Sequence, residues 1–396
     1  MGRISKNILC VNGGSSSIKF ALFAQDNAVE LNVLLKGKID RIGLEGAVLT
    51  FNDMVSGEEG RAPVDGTGMN AAADVLLNWL KGRGGADFSV VGHRIVHGGS
   101  RRQPAVIDET LLAELGRISG YDPDHLPGEV GLIRLFRERD PELRQVACFD
   151  TAFHATLPRV ARLMPLPRKY EAAGLQRYGF HGLSYAYIAE ELIRVAGPAI
   201  AGGRVVMAHL GNGASLAAVR AGESMDTTMG FTPTGGIIMG TRSGDLDPGV
   251  IGWLLRQEGL GAAELSDLVN HRSGLLGVSG VSPDMQDLLS REGGDKAAAE
   301  AVEMFCYQVK KSIGAYAAVL EGVDALVFTG GIGEHSPAVR SRICAGMEWL
   351  GVVLDQRANE RNELSISRAG GAVRVYVIPT DEEKMIARQS LKLLNV

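Results

Sequence analysis

The chain has 396 residues, of which 22% are charged, and a formal net charge of −5. This length suits two or more domains with a large core, and the charge balance excludes a basic face for nucleic acid. No apolar run reaches the ~18 residues that a membrane span needs, and the N-terminus runs into a strand rather than a signal peptide, so we expect a soluble protein without nucleic-acid or membrane partners.

Hydrophobic periodicity predicts a mixed α/β chain. Strands are predicted at 8–12, 18–24, 30–40, 46–52, 89–95, 145–149, 204–209, 215–220, 325–329 and 373–378. Helices are predicted at 69–82, 109–118, 128–139, 184–195, 248–258, 263–271, 296–320, 336–350, 355–364 and 382–394. Within each half the strands come first and the helices later, which favours two related α/β domains over one doubly wound sheet.

The first strand enters a turn of Asn, Gly and Ser at residues 12–17 and leaves as a second strand, which predicts a hairpin. Backbone N–H groups, hydroxyls and the Lys19 ammonium in this turn suit a phosphate chain, although one such turn could be only a turn. The pattern returns in HLGNGAS at residues 209–215, and a third glycine cluster follows the strand at 325–329. Because glycine lets a backbone approach phosphate closely, the three clusters together indicate a nucleotide gripped between two halves.

Charged side chains and imidazoles follow predicted strands or lie in small-residue loops at 92–99, 149–154, 177–182, 239–249 and 379–383. Arginine forks suit carboxylate and phosphate oxygens, and two of them with a histidine and a Mg²⁺-holding carboxylate would make a phosphoryl-transfer site. Simpler roles are also open: Asp245 and Asp247 could cap the next helix, and Glu382 and Glu383 could complement a helix N-terminus.

The remaining histidines and the cysteines point to structural roles. His93, His97 and His154 are interpreted as core or surface histidines, and their spacing gives no zinc site. The cysteines are widely spaced and predict buried free thiols in a reducing, cytoplasmic compartment; they are Cys10, Cys148, Cys306 and Cys344.

In their order along the chain, the motifs from about residue 8 to 390 resemble those of the acetate kinase family; they are GHRIVHGG, FDTAFHATLP, RYGFHG, HLGNGAS, MGFTP, MGTRSGDLDP, SGLLGVSG, TGGIGE and IPTDEE. The resemblance implies the duplicated ribonuclease-H-like fold of actin, hexokinase and the Hsp70 ATPase domain, with a central nucleotide cleft. The N-terminal domain would span 1–150, completed by a helix at 384–396, and the C-terminal domain 151–383. It also implies a homodimer that transfers phosphate reversibly from ATP, as co-substrate, to acetate with Mg²⁺ or Mn²⁺.

The resemblance implies a role for individual residues. Arg94 would bind the acetate carboxylate, Arg242 the transferring phosphoryl group and Lys19 the terminal phosphate. His181 would stabilise the transition state, and Asp150 would be the essential carboxylate near metal and phosphate. A carboxylate substrate is already a nucleophile, so no general base is expected.

The other implied sites are sets of residues. The metal would be held by Asn12 and Glu382. The acyl pocket would be lined by Arg94, Val96, Phe180 and Pro233. The phosphates would be cradled by His209, Leu210, Gly211, Asn212 and Gly213, and the adenosine would be surrounded by Asp284, Met285, Gln286, Gly331, Ile332, Gly333, Glu334 and His335.

Several positions depart from the family pattern and leave the substrate open. Asp124, in the segment 122–127, stands where a leucine normally walls the acetate methyl pocket, and a buried unpaired carboxylate there would be costly. Either it points away, or it pairs with a cation, or the substrate is propionate or another short-chain acid. Gly235 replaces a glutamate, His335 replaces an asparagine, and Leu183 and Tyr185 stand where Thr and His are usual. A non-catalytic chaperone or regulator is disfavoured, because the chain has no added domain and keeps the implied catalytic residues.

Overall fold

The computed structural model describes residues 7–14, 17–25, 31–64, 68–83 and 87–394. Ser15 and Ser16 of the first predicted turn lie outside these residues. Residue contacts divide the chain into unit 1, Met1–Ala152 with Asp381–Val396, and unit 2, Phe153–Thr380.

Each unit is built on one β-sheet. The strands of unit 1 are β1 Asn7–Gly13, β2 Ile18–Gln25, β3 Leu31–Asp40, β4 Val48–Asp53, β5 Glu59–Pro63, β6 Val90–Ile95, β7 Ala105–Val106 and β8 Arg144–Phe149. The strands of unit 2 are β9 Arg204–Leu210, β10 Ala214–Arg220, β11 Glu223–Thr227, β12 Ala325–Thr329 and β13 Arg374–Val377.

The helices follow the strands in both units. Those before β9 are α1 Met69–Gly82, α2 Glu109–Arg117, α3 Leu126–Arg139, α4 Arg159–Arg162, α5 Arg168–Ala172, α6 Gly182–Ala196 and α7 Pro198–Ala201. Those after β11 are α8 Pro248–Gln257, α9 Ala262–His271, α10 Gly274–Ser279, α11 Met285–Arg291, α12 Lys296–Leu320, α13 Gly330–His335, α14 Pro337–Cys344, α15 Gln356–Glu360 and α16 Glu382–Leu394. Single 3₁₀ turns lie at Ser119–Tyr121, Ala152–Thr156 and Glu348–Leu350.

The two sheets repeat one strand order. In unit 1 the order is β5-β4-β3-β2-β1-β6-β8-β7, and in unit 2 it is β11-β10-β9-β12-β13. In both, a meander of three antiparallel strands is extended by two strands parallel to its first strand. The segment β3-β2-β1-β6-β8 therefore corresponds to all of the second sheet, which is the internal duplication that the sequence predicted.

Both faces of the first sheet are covered, which explains the continuous apolar run of β1. Leu9 and Val11 pack on the α1 side in one cluster with Leu76. On the other face α16 contacts β1, β6 and β8. The close approach of α16 to β6 requires Gly92, because a Cβ there would lie 2.5 Å from Ile386 Cγ2.

The second sheet is covered in the same way. Helix α6 buries Tyr185, Ile188 and Leu192 against β9 and β10, and the 25-residue helix α12 contacts β9, β10 and β11. Asp295 caps α12 by accepting hydrogen bonds from the N–H groups of Ala297 and Ala298 at 2.9 and 3.1 Å.

All the predicted strands and helices have counterparts among the described residues, with two helices too long. The helix expected at 336–350 ends at Cys344, because Ala345 is extended and Gly346 has φ +73°. The helix expected at 355–364 is α15, Gln356–Glu360. The glycine cluster after β12 is the short helix α13 rather than a tight turn. Across the described part of the chain, no helix has both the length and the apolar character to cross a membrane.

Candidate active site

In unit 1, four side chains predicted from the sequence lie together at the carboxyl end of the parallel strands. Arg94 is on β6 and Asp150 directly follows β8, its parallel neighbour. Arg94 Nε and Nη2 donate to Asp150 Oδ2 at 3.0 and 2.6 Å, and Nη1 donates to Asn12 Oδ1 at 3.3 Å. Although burial alone would lower it, the charge of Asp150 raises the pKa of Arg94. The guanidinium is therefore firmly cationic.

Glu382, the first residue of α16, completes this group. Its Oε2 accepts a hydrogen bond from Asn12 Nδ2 at 3.2 Å. Burial raises the pKa of Glu382, and the nearby Arg94 charge opposes that shift. Asp150 is fully buried, and its Oδ1 accepts no hydrogen bond from the residues that the structure describes. Two acidic side chains thus face one arginine.

This group of side chains contains oxygen atoms that a metal ion could use as ligands. Within the described ranges there is no group of three or more His, Cys, Asp or Glu side chains placed to hold a metal ion. The unsatisfied Asp150 Oδ1, the Glu382 carboxylate and the Asn12 amide oxygen are nevertheless hard oxygen donors. Such donors fit Mg²⁺, which binds one or two carboxylates and keeps several waters.

Lys19 lies on β2, opposite Asn12 in the antiparallel pair. Its side chain is exposed and lines an open cavity of about 430 Å³ with Lys36 and Glu383. Burial, followed by the charge of Glu382, raises the pKa of Glu383.

Glu129 of α3 was not found from the sequence. It is buried, and its two oxygens accept from the Val96 N–H at 3.2 and 3.1 Å. Burial raises its pKa to about 8, against the opposing charge of Arg94. The signal was available, because Glu129 falls on the apolar stripe of α3 with Leu126, Val130 and Ile133.

The open question about Asp124 is answered by its exposure. Asp124 is exposed, whereas Val96 is 2% exposed, so the carboxylate does not lie buried beside the predicted acyl pocket residue. The buried carboxylate of this segment is Asp122, whose Oδ1 lies 2.9 Å from His125 Nδ1.

In unit 2, His181 and His209 stack with ring centroids 4.2 Å apart. His181 adopts the left-handed conformation with φ 60° at the start of α6, and its Nδ1 lies 2.9 Å from Ser215 Oγ. His209 is on β9, and its Nδ1 lies 2.8 Å from Ser184 Oγ. Ser184 is a second residue that the sequence did not reveal.

The glycine turn after β9 meets both predicted phosphoryl-binding side chains of this unit. The Gly211 N–H donates to the Gly213 carbonyl at 3.1 Å. A Cβ on Gly213 would lie 3.3 Å from His181 Nε2 and 3.6 Å from Arg242 Nη1. The start of α13 is also close, since a Cβ on Gly211 would lie 3.8 Å from the Gly331 nitrogen.

Arg242 is held by the loop that carries Pro233. Its Nη1 donates to the Pro233 carbonyl at 3.1 Å. The loop is closed by Asp245, whose Oδ1 accepts from the Gly236 N–H at 2.8 Å, while Asp247 caps α8. The capping alternative is thus confirmed for Asp247. Phe180, the other acyl pocket candidate of this unit, is 1% exposed.

The predicted adenosine residues form two segments. Asp284 caps α11 through the Asp287 N–H at 2.9 Å and is exposed, as is Gln286, while Met285 is buried. No hydrogen bond between described residues joins the Asp284 or Gln286 side chain to the glycine turn. The segment approaches Gly240, since the Pro283 carbonyl would lie 3.3 Å from a Cβ there. The Gly240 N–H in turn donates to the carbonyl of Asn212 in the glycine turn at 2.9 Å.

The second adenosine segment is α13, of which Ile332 is partly buried, Gly333 buried and His335 exposed. Glu334 Oε1 accepts from the N–H groups of Gly330 and Thr380 at 2.9 and 3.0 Å. Glu334 therefore ties the start of α13 to the end of unit 2.

Arg340, which was not identified from the sequence, is a buried side chain that hydrogen-bonds to the backbone of α13. It is 0% exposed, and its Nη1 donates to the carbonyls of Gly333 and Glu334 at 2.7 and 3.0 Å. Its Nε donates to Asn359 Oδ1 at 2.7 Å. Like Glu129, Arg340 interrupts an apolar stripe, here that of α14.

Comparison with known proteins places the chain in a family. The sequence model of the Acetokinase family matches residues 7–388. The chain belongs to the acetokinase family. Acetate kinase of Rhodopseudomonas palustris (strain TIE-1) is 44% identical over 397 residues, which cover 99% of each chain.

Solved structures of the family agree with the fold of this acetokinase-family chain. Porphyromonas gingivalis acetate kinase is 37% identical with a TM-score of 0.88, over 98% of this chain and 100% of its own. A propionate kinase from Francisella tularensis is 33% identical with a TM-score of 0.91, over 98% and 99%. The family and the duplicated α/β fold predicted from the sequence are confirmed.

Proposed function

We propose that this acetokinase-family chain transfers the γ-phosphoryl group of ATP to acetate, reversibly, giving ADP and acetyl phosphate. The observation that carries the proposal is the meeting of Arg242 Nη1 and His181 Nε2 at Gly213, where no Cβ fills the space. A guanidinium and an imidazole beside a glycine turn suit the charge of a transferring phosphoryl group. The high identity to proteins named acetate kinase supports the same reaction.

The bond changes need no general base. A carboxylate oxygen of acetate forms a bond to the γ-phosphorus in line with the leaving oxygen. The bond from that phosphorus to the β–γ bridging oxygen breaks, and its electron pair stays on ADP. Since the nucleophile is already anionic at neutral pH, positioning and positive charge carry the catalysis.

In unit 1 we assign the carboxylate substrate to Arg94. Asp150 accepts two of its N–H groups, which orients the guanidinium and keeps it charged. Val96, two residues further and buried, would wall the acyl group in this unit. The exposure of Asp124 removes the objection to an apolar acyl group.

We propose that Asn12 and Glu382 hold Mg²⁺ or Mn²⁺, directly or through water, with Asp150 nearby. The buried Asp150 Oδ1 that lacks a hydrogen bond supports this assignment. When bound, the cation would neutralise charge on the phosphate oxygens. Lys19, exposed on β2, is proposed to meet the terminal phosphate.

In unit 2 we assign ATP to the backbone around the glycine turn. The turn residues would cradle the phosphates, and the residues of α13 with 284–286 would surround the adenosine. The approach of Gly211 to Gly331 supports this assignment, because both backbones are bare of side chains where a ligand would lie.

The reaction is tested by a hydroxamate assay over acetate, propionate and butyrate. We expect the highest kcat/KM with acetate; a clearly higher value for propionate or butyrate would replace acetate as the substrate. Arg242→Ala should lower kcat by about 10²–10³-fold with ATP binding, measured by calorimetry, nearly unchanged. Arg357→Ala, at an exposed position of α15, is the matched control, and an active Arg242→Ala enzyme would refute the role of Arg242.

We further propose two ribonuclease-H-like domains, 1–150 completed by 384–396 and 151–383, whose boundaries lie within three residues of those of units 1 and 2. We also propose that the chain is a homodimer. Exposed apolar residues of α8, with Trp253 at 52% and Val250 at 43% exposure, support a covered surface in an assembly. Sedimentation velocity tests the dimer, and a monomer at micromolar concentration would refute it.

A cytoplasmic location is supported by cysteines that are all buried and free.

A further inference from the structure

Behind the His181 ring lies a short line of buried hydroxyl groups. Tyr185, one turn along α6, is 0% exposed, and its Oη lies 2.5 Å from Ser215 Oγ. Ser215, also 0% exposed, has its Oγ 2.9 Å from His181 Nδ1.

The direction of these hydrogen bonds follows from counting protons. Each hydroxyl has one proton to donate. The Tyr185 hydroxyl proton is directed at Ser215 Oγ, the acceptor that the structure shows within reach. A buried hydroxyl proton without an acceptor would be costly. Ser215 then donates its proton to His181 Nδ1.

An Nδ1 that accepts a hydrogen bond cannot carry a proton. The neutral imidazole of His181 must therefore have its proton on Nε2. Nε2 is the ring atom beside the glycine turn, next to Arg242 Nη1. Since a guanidinium only donates, the two side chains present N–H groups to the same place.

We propose that Tyr185 and Ser215 are positioning residues that hold His181 as the neutral Nε2–H tautomer, with the proton directed at the phosphoryl-binding turn. This inference rests on the proposed function for its catalytic meaning. The tautomer itself is a property of unit 2 alone.

The choice of tyrosine at 185 matters because this position departs from the family pattern of histidine. A neutral histidine has one donor and one acceptor nitrogen, so at this position it could either donate a hydrogen bond to Ser215 or accept one from it. A buried phenol whose hydrogen-bond partner is Ser215 Oγ must donate to it, because its proton would otherwise lack an acceptor. Burial raises the pKa of Tyr185, so the phenol keeps that proton at neutral pH.

The tautomer can be read directly by long-range ¹H–¹⁵N correlation spectra of protein labelled with ¹⁵N in histidine. The chain has 8 histidines, and the His181 signals are assigned by their loss in His181→Gln. At a pH where the imidazole is neutral, we expect an acceptor-type Nδ1 shift and a protonated Nε2 shift. The opposite pattern in the wild-type protein overturns the proposal without any variant.

Two variants test whether Ser215 and Tyr185 determine the tautomer of His181. Ser215→Ala removes the donor to Nδ1 and should give a substantial Nδ1–H population, and Tyr185→Phe should give a smaller change, since Ser215 is then free to rotate. Tyr316→Phe, which removes another buried phenol of unit 2, is the matched control and should leave the His181 signals unchanged. A Ser215→Ala spectrum identical to wild type would overturn the assignment.

Kinetics separate this inference from the proposed reaction. Ser215→Ala should lower kcat by about 10–10²-fold, less than loss of a whole transition-state donor, with KM for acetate unchanged. If the wild-type chain fails to phosphorylate acetate, the proposed function fails, whereas the tautomer measurement still decides the role of Ser215 and Tyr185.

Discussion

The loss of a proton from Glu129 should make unit 1 less stable as the pH rises. Its carboxyl group is 3% exposed, and its folded-state pKa is about 8 against an ordinary value of 4.5. Between these two pH values the folded chain holds a proton that the unfolded chain releases. The stabilisation from this proton is complete below about pH 4.5 and is lost as the pH rises through 8.

The size of this change in the free energy of unfolding follows from the pKa shift of Glu129. A difference of 8 − 4.5 = 3.5 pK units corresponds to roughly 5 kcal/mol at 1.36 kcal/mol per unit. Glu129→Gln removes this dependence, because an amide stays neutral and its Oε1 can still accept from the Val96 N–H. The variant should match wild type near pH 4.5 and exceed its free energy of unfolding by up to ~5 kcal/mol at pH 8.5.

Urea unfolding followed by Trp79 fluorescence is the assay. Trp79 packs on Phe51 with ring centroids 4.8 Å apart, whereas Trp253 and Trp349 are 52% and 72% exposed, so the signal reports mainly on unit 1. Glu138→Gln, on the exposed side of the same helix, is the control and should follow wild type. Parallel pH curves for Glu129→Gln and wild type would refute the reasoning.

Three further outcomes are expected. Arg340→Ala should destabilise unit 2 by about 3–5 kcal/mol, because it removes the guanidinium donor from three backbone carbonyls and from the amide oxygens of Asn359 and Asn362. A midpoint of denaturation within error of wild type would contradict this. Gly179→Ala should cost about 2–4 kcal/mol, because φ is +74° and the new Cβ would lie 2.5 Å from His154 Cδ2; thermal unfolding measures it, and an unchanged Tm would show that the site relaxes freely. Asp124→Leu should change kcat/KM for acetate by no more than about 2-fold, as for an exposed substitution worth ±0.5 kcal/mol; a larger gain in the hydroxamate assay would return this residue to the acyl pocket.

The sequence predicted those parts of the site that regular structure brings together. The sequence placed Arg94 and Asp150 at the ends of predicted strands, and the structure shows that these strands are parallel neighbours whose carboxyl ends share one edge of the sheet. The strand–turn–strand repeat likewise predicted the duplicated sheet. Hydrophobic periodicity could not predict that two helices end at residues 344 and 360. Left-handed or extended residues stop those helices without a change in the hydrophobic pattern.

The sequence did not predict the buried polar groups that position the candidate catalytic residues. Glu129 and Arg340 stand in apolar helical stripes, and each is satisfied by backbone groups more than five residues away in sequence. Periodicity marks such a residue as buried, but its partner is fixed only by how helix and sheet pack. A charged residue within an apolar stripe is therefore a useful signal for a positioning role.

The segment 122–127 shows why a departure from a family pattern must be judged by burial rather than by position. The sequence placed the unusual charge of Asp124 next to an acyl pocket, yet Leu126, two residues later, is 0% exposed and packs in one cluster with Ile95 and Phe149. The backbone carbonyl of Asp122 accepts the Leu126 N–H at 3.1 Å, which begins α3 and turns Leu126 inward. An apolar side chain thus occupies the core beside β6 while the carboxylate of Asp124 is exposed, so the substitution alters the surface and leaves the requirement for a small apolar acid in place.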